Sequence, residues 1–203
     1  MKTPEAVVFD LGKVLIEFDW WRAARALAAH SDLPAEAVHR VLLQTPALMD
    51  YETGHTTTEE FFAAVGAGIG FRGDLAAFDP LFTGIFDPIT DMISLHADLR
   101  ACGVPTYIFS NTNDLAIRHV RQNYPFFAGF DGYVLSYEHR AMKPHAALYE
   151  VVEKVTGRQG AALAYLDDRP ENIATARQRG WHAILHETPA ASRAALRQRG
   201  LPV

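Results

Sequence analysis

The feature that most constrains this chain is a recurrence of short apolar runs, each ending in polar residues, at Ala6–Asp10, Pro105–Ser110, Ala161–Asp168 and Trp181–His186. Helical patterns lie between the later runs, and strands that alternate with helices imply a parallel sheet. The punctuation supports that reading. Asp87 is a candidate N-cap with Pro88 at the first helical position, and Gly103 supplies a stop. Pro170 opens a helix over ENIATARQR, which Gly180 closes before the next strand. The expected fold is a doubly wound α/β sheet.

The first strand is not followed by one short crossover, because roughly seventy residues of mainly helical pattern precede the helix near Pro88. Within them Trp20–Ala29 and Pro34–Gln44 read as helices, and Thr57 with Glu60 has capping-box spacing before FFAAV. The stretch from Gly66 to Gly73 is glycine-rich but mixed. The expected division is an α/β core of residues 1–15 and 88–203 with a small helical cap, residues 16–87, inserted after the first strand.

Four polar clusters fall at or just beyond the strand ends: Asp10, Ser110 with Asn111, Lys143, and the pair Asp167 and Asp168. In an open parallel sheet ligands sit outside the carboxyl ends of the strands, so these distant residues are expected to converge there. Magnesium takes one or two carboxylates together with substrate oxygen and water, which Asp10 and Asp168 can help provide with Asp167 beside them. Ser110 and Asn111 precede the helical pattern NDLAIRHVRQ, a position where phosphate is readily held. Lys143 adds positive charge for a phosphoryl transition state, and Asp10 would attack in line. Asn172 is a possible support for the acidic loop. Each residue also has a plain alternative: Asp10 as a strand end, Lys143 as a turn residue, Asp168 as a helix cap, and Ser110 and Asn111 as turn residues.

Composition narrows the function. With 203 residues and 49% hydrophobic content the chain can bury a full core, and a net charge of -5 argues against nucleic acid. No apolar stretch approaches the roughly 20 residues of a membrane span. MKTPEA leads directly into the strand-like VVFD, so export is not expected; the single cysteine, Cys102, fits a reducing cytoplasm. None of the nine histidines pairs in a zinc spacing, and His96, His119 and His182 read as structural. His139 and Arg140 are weaker candidates for substrate contact, and Trp20, Trp21 and Tyr51 for the substrate entrance.

The motifs FDLGKVL at Phe9–Leu15, FSNT at Phe109–Thr112, MKP at Met142–Pro144 and LDDRPEN at Leu166–Asn172 resemble those of the haloacid dehalogenase-like hydrolases. The likeness spans nearly the whole chain, and YETGHTTTEEFF at Tyr51–Phe62 resembles the cap of the phosphatase and dehalogenase branch. The resemblance implies a Rossmann-like core and a magnesium-dependent phosphatase. Asp10 would be the nucleophile and a metal ligand, Gly12 a ligand through its carbonyl, and Ser110 and Asn111 the phosphate-binding pair. Lys143 would steady phosphate and nucleophile, while Asp168, assisted by Asp167, would hold magnesium.

Gly12 departs from the pattern, since phosphatases of this family carry there a second aspartate that protonates the leaving group and then activates water. General acid-base catalysis contributes roughly 100-fold to 10,000-fold, against about 10²¹ for enzymatic phosphate-monoester hydrolysis, so substantial catalysis can survive without it. FDLG also resembles the glucose-1-phosphate phosphatase branch, and the expected substrate is a small phosphorylated metabolite such as a sugar phosphate. The alternatives are a 2-haloacid dehalogenase, a catalytically weak module binding a phosphometabolite or protein, and, least of all, a phosphoacceptor signalling domain.

Overall fold

The computed structural model describes residues 3–203. Strand β1 (Ala6–Phe9) leads through a loop into the short β2 (Ile16–Phe18). Five helices follow: α1 (Trp20–Ala28), α2 (Ala35–Gln44), α3 (Pro46–Glu52), α4 (Thr58–Ile69) and α5 (Leu75–Thr83). The chain returns along β3 (Phe86–Pro88) and continues through α6 (Thr90–Ala101), β4 (Thr106–Ser110), α7 (Asp114–Asn123) and β5 (Gly132–Leu135). Then come α8 (Ser136–His139), α9 (Ala146–Thr156), β6 (Leu163–Asp167), α10 (Pro170–Gln178), β7 (His182–Leu185) and α11 (Pro189–Gln198).

The main sheet is parallel in the order β5-β4-β1-β6-β7. β1, β4 and β6 are buried along their whole length, which is why they read as continuous apolar runs rather than alternating ones. Successive residues of β1 serve opposite layers. Val7 and Phe9 pack with Leu95 and Leu99 of α6, while Ala6 and Val8 pack with Leu148 of α9 and Ile173 of α10. The chain runs from β1 out to β4 and β5 on one side, then crosses back to β6 and β7 on the other side of β1, and a crevice opens where the winding reverses.

A third apolar cluster joins the inserted helices, with Phe61, Phe78 and Phe82 at its centre, and Leu115 of α7 ties it to the core. Thr57 and Glu60 form the expected reciprocal capping box at the start of α4. The glycine-rich stretch is no linker: α4 runs to Ile69 and ends on Gly70 in the left-handed conformation.

Asp87 and Pro88 do not start a helix. They lie in β3, which pairs antiparallel with β2 through Ile16↔Pro88, Glu17↔Asp87 and Phe18↔Phe86, and Asp87 forms an ion pair with Arg22. The helix begins at Thr90 behind Ile89, whose side chain makes no capping bond. An Asp-Pro pair has the same local chemistry at a helix start and at an edge strand, and pairing with a distant strand decided between them. Gly103 and Gly180 do follow α6 and α10 with positive φ, and Pro170 is the first residue of α10. Among the described residues no helix is long and apolar enough to cross a membrane.

Candidate active site

The carboxyl ends of β1, β4 and β6 bring Asp10, Ser110 and Asp168 to one crevice with Asp167 buried directly behind them, and the loop before α9 delivers Lys143 into it. Lys143 is the hub. Its Nζ lies 2.9 Å from Asp10 Oδ1 and 2.7 Å from Asp167 Oδ2, and it donates to the Phe109 carbonyl at 2.9 Å. The same ammonium stands 5.1 Å from the centre of the Phe109 ring. A buried lysine stays charged only when such partners replace its water. Here burial favours the neutral amine, but Asp10 and Asp167 outweigh it and raise the pKa.

The backbone of Lys143 is held as firmly as its side chain. Its N–H donates to Asn111 Oδ1 at 2.7 Å, and Asn111 Nδ2 donates to its carbonyl at 3.0 Å. The Asn111 side-chain amide is therefore occupied by the lysine loop. Ser110 and Asn111 both line the cavity, and α7 begins at Asp114, capped by Asn113 Oδ1 accepting from Ala116 N.

Asp167 is saturated. Oδ2 accepts from Lys143, Tyr165 and Asn172, and Oδ1 from the Arg169 N–H at 2.8 Å and again from Asn172 at 3.0 Å. Tyr149 in turn donates to the Asn172 carbonyl at 2.9 Å, so Asn172 links α10 and α9 to the acidic loop. Burial opposes ionisation of Asp167, but Lys143, Tyr165 and the Arg169 N–H outweigh it and hold the carboxyl below its ordinary range.

Asp10 fares differently. Its Oδ1 accepts from the Leu11 N–H at 2.7 Å, yet burial pushes the carboxyl up to about 8 against the pull of Lys143, and Asp167 adds to the rise. Asp168, half-buried, is also raised by burial and by Asp167. One lysine thus faces three carboxylates whose oxygens lie within 4.8 Å of one another, and the site is short of positive charge. A hard divalent cation suits that donor set in both oxygen chemistry and charge.

The crevice opens into a cavity of about 290 Å³ reached by Gly12, Glu52, Asp168 and Arg169 as well as the lysine hub. Its outer wall is apolar, built from Phe18, Trp20, Leu48, Phe82, Ile85 and Phe86. Of the aromatics expected at an entrance, Trp20 takes that place. Trp21 is 41% exposed and stacks on His39, and Tyr51 is buried against Phe61 with its hydroxyl accepting from the Leu115 N–H. His139 and Arg140 do not line the cavity. Sequence reasoning missed Glu52 and the phenylalanine wall. Glu52 stood in a cap-like motif without any spacing that tied it to the strand ends, and the wall residues signalled only packing.

The model of the haloacid dehalogenase-like hydrolase family matches residues 4–180. Sesquiterpene phosphatase astK of Aspergillus oryzae is 27% identical over 179 residues, which cover 88% of this chain and 87% of that protein. A HAD family enzyme from Bacteroides thetaiotaomicron, solved with magnesium and inorganic phosphate, superposes with a TM-score of 0.80 at 21% identity, covering 91% of this chain and 94% of that one. L-2-haloacid dehalogenase from Xanthobacter autotrophicus, with chloropropionic acid covalently bound, is similar at a TM-score of 0.64 and 21% identity over 89% of this chain and 76% of that one. The two structures speak for the fold alone, since they reach both a phosphate complex and a dehalogenase. With the family match spanning most of the sequence and its motifs gathered at one crevice, this chain belongs to the haloacid dehalogenase-like hydrolases.

Proposed function

We propose that the protein is a magnesium-dependent phosphatase that hydrolyses the phosphomonoester of a largely apolar alcohol through an aspartyl-phosphate on Asp10. The observation that carries this reading is a single cavity with a carboxylate and lysine floor and an apolar wall. Asp10, Asp168 and the Gly12 carbonyl would hold magnesium, which when bound neutralises charge on the phosphoryl oxygens. Lys143 keeps Asp10 oriented and offers positive charge to the transferred group, Ser110 offers a hydroxyl, and Asn111, Asp167 and Asn172 hold Lys143 and the acidic loop in place. Asp10 attacks phosphorus in line, the ester oxygen departs, and water then cleaves the acyl phosphate.

The wall favours an apolar leaving group over the expected sugar phosphate. Sugar hydroxyls need hydrogen-bonding partners when they are desolvated, and the six wall side chains offer none apart from the indole N–H of Trp20. The sesquiterpene phosphatase relative agrees in kind. A dehalogenase needs no cation, and the excess of carboxylates over lysine in this site weighs against that alternative.

The test is phosphate release from farnesyl phosphate, decyl phosphate, glucose 1-phosphate and p-nitrophenyl phosphate, with magnesium or chelator, for the natural chain and Asp10→Asn. The expected result is magnesium-dependent turnover, fastest for the two apolar esters and at least about 1,000-fold slower in the variant. Preference for glucose 1-phosphate would overturn the substrate class. Chloride release from 2-chloropropionate without magnesium would overturn the reaction.

A further inference from the structure

A phosphatase with glycine at position 12 needs its acid and base from elsewhere. A Cβ at Gly12 would lie 2.9 Å from Cε1 of Phe18, so an aromatic ring fills the space into which a side chain there would project. That ring packs edge-on to Trp20 and lies under the Lys13 ammonium, which makes it a fixed part of the cavity wall.

We propose that Glu52, at the end of α3, is the general acid and base of the reaction, brought to the cavity by the inserted helices in place of the side chain that Gly12 lacks. The assignment rests on the phosphatase reading of the site. Glu52 lines the same cavity as Asp10, Ser110 and Lys143. Its place relative to the strand ends is set by its own backbone: the Glu52 carbonyl accepts from Ser136 Oγ at 2.6 Å, and that oxygen accepts from the Thr112 N–H at 2.9 Å, two residues beyond Ser110. Two residues after Glu52, Gly54 has φ +70°, and a Cβ there would lie 2.0 Å from the Tyr137 carbonyl oxygen, so only glycine lets the insert approach the core this closely.

The other charged groups of the cavity already have partners or a role. Lys13 pairs with Glu17, Arg169 with Glu171, and Lys143 with Asp10 and Asp167, while Asp10 and Asp168 belong to the acidic cluster. The Glu52 carboxyl makes no ion pair or side-chain hydrogen bond among the described residues. Burial alone pushes it up to about 7; His39 and Arg40 on α2, Asp50 on α3, Glu59 and Glu60 on α4, and Glu138 and His139 on α8 contribute nothing to that shift. A carboxyl in this range is available near neutrality as an acid and as a base.

In the first step an Asp10 oxygen bonds to phosphorus, the bond from phosphorus to the ester oxygen breaks, and the departing alkoxide takes the Glu52 proton. In the second, Glu52 takes a proton from water, the water oxygen bonds to phosphorus, and the bond from phosphorus to Asp10 breaks. Alcohol and phosphate leave, and both carboxyl groups return to their starting states.

The experiment compares the natural chain with Glu52→Gln and Glu52→Asp on decyl phosphate and p-nitrophenyl phosphate. The nitrophenolate leaving group needs no proton, so in Glu52→Gln it should appear in a burst of one equivalent per enzyme. Steady release after the burst, and all turnover of decyl phosphate, should be slower by about 100-fold to 10,000-fold. Because the acid form serves the first step, kcat/KM for decyl phosphate in the natural chain should fall as pH rises through about 7. That limb should be missing in Glu52→Gln and present in Glu52→Asp.

In Glu52→Gln, natural rates on both esters, or a uniform loss with no burst and the natural pH profile, would overturn the proposal. A natural chain whose turnover survives Asp10→Asn would instead overturn the phosphatase reading beneath it. If Glu52→Gln does not fold, judged by circular dichroism, the burst and steady phase of Glu52→Asp decide: natural rates in both despite a carboxyl one methylene shorter would overturn the proposal, and a burst followed by a slowed steady phase would support it.

Discussion

The floor and the wall of the cavity are built by opposite means. At the floor directional bonds dominate, and a single lysine is fixed by two carboxylates, a carbonyl and an asparagine that clamps its backbone. The wall is made of phenylalanines, a tryptophan and aliphatic side chains whose contacts are non-directional, and much of it comes from the insert. Directional bonds hold reacting atoms within tight limits of distance and angle; packing tolerates changes of shape. Under the proposed function this would place the phosphoryl chemistry chiefly at the floor and substrate choice at the wall, with Glu52 the one group the insert adds to the chemistry.

Removing the hub should cost the molecule most. Lys143→Met keeps most of the length of the side chain but leaves Asp10 and Asp167 buried without their cation, and the expected loss of stability is about 3–5 kcal/mol in a denaturant melt of the metal-free protein. Added magnesium should restore part of it. A loss no greater than that of a surface substitution would mean the floor is not held by charge.

A buried ionisable group without an ionic partner sharpens the contrast. His96 on α6 stacks on Phe130 with centroids 3.8 Å apart and bonds to Thr106 Oγ1, and burial lowers its pKa to about 4. The folded state keeps this ring neutral while the unfolded chain takes up a proton near 6.5, so its contribution is fully present above that pH. It should be lost progressively as pH falls from 6.5 toward 4, by about 3 kcal/mol in all. His96→Phe should flatten that part of the stability curve, read by melts across the range, and an unchanged slope would show that His96 is not its source.

The smallest effect belongs to the wall. Trp20→Ala should raise the KM for decyl phosphate by about tenfold, or about 1.4 kcal/mol, while inhibition by inorganic phosphate shifts less than about twofold. An equal loss of phosphate affinity would erase the division between wall and floor.

Much of the fold was legible because a two-sided parallel sheet needs consecutive apolar residues, a local signal carried openly by β1, β4 and β6. The capping box at Thr57 and the glycine stops are local too. Asp87 and Pro88 misled because their pairing partner lies in β2, far away in sequence. The site shows the same divide. Asp10, Ser110, Lys143 and the two aspartates stood out at strand ends, whereas the occupied amide of Asn111 and the saturated oxygens of Asp167 depend on partners 32 and 24 residues away.

By itself, then, the sequence determined the sheet, the helical insertion and the residues that meet at the crevice, since periodicity, caps and strand ends are set by near neighbours along the chain. Tertiary structure alone decided which of those residues hold others in place, that Phe18 fills the space beside Gly12, that the wall is apolar, and that Glu52 reaches the same cavity. These outcomes depend on burial and on contacts between residues far apart in the chain, within the core at the floor and between the core and the inserted helices at the wall.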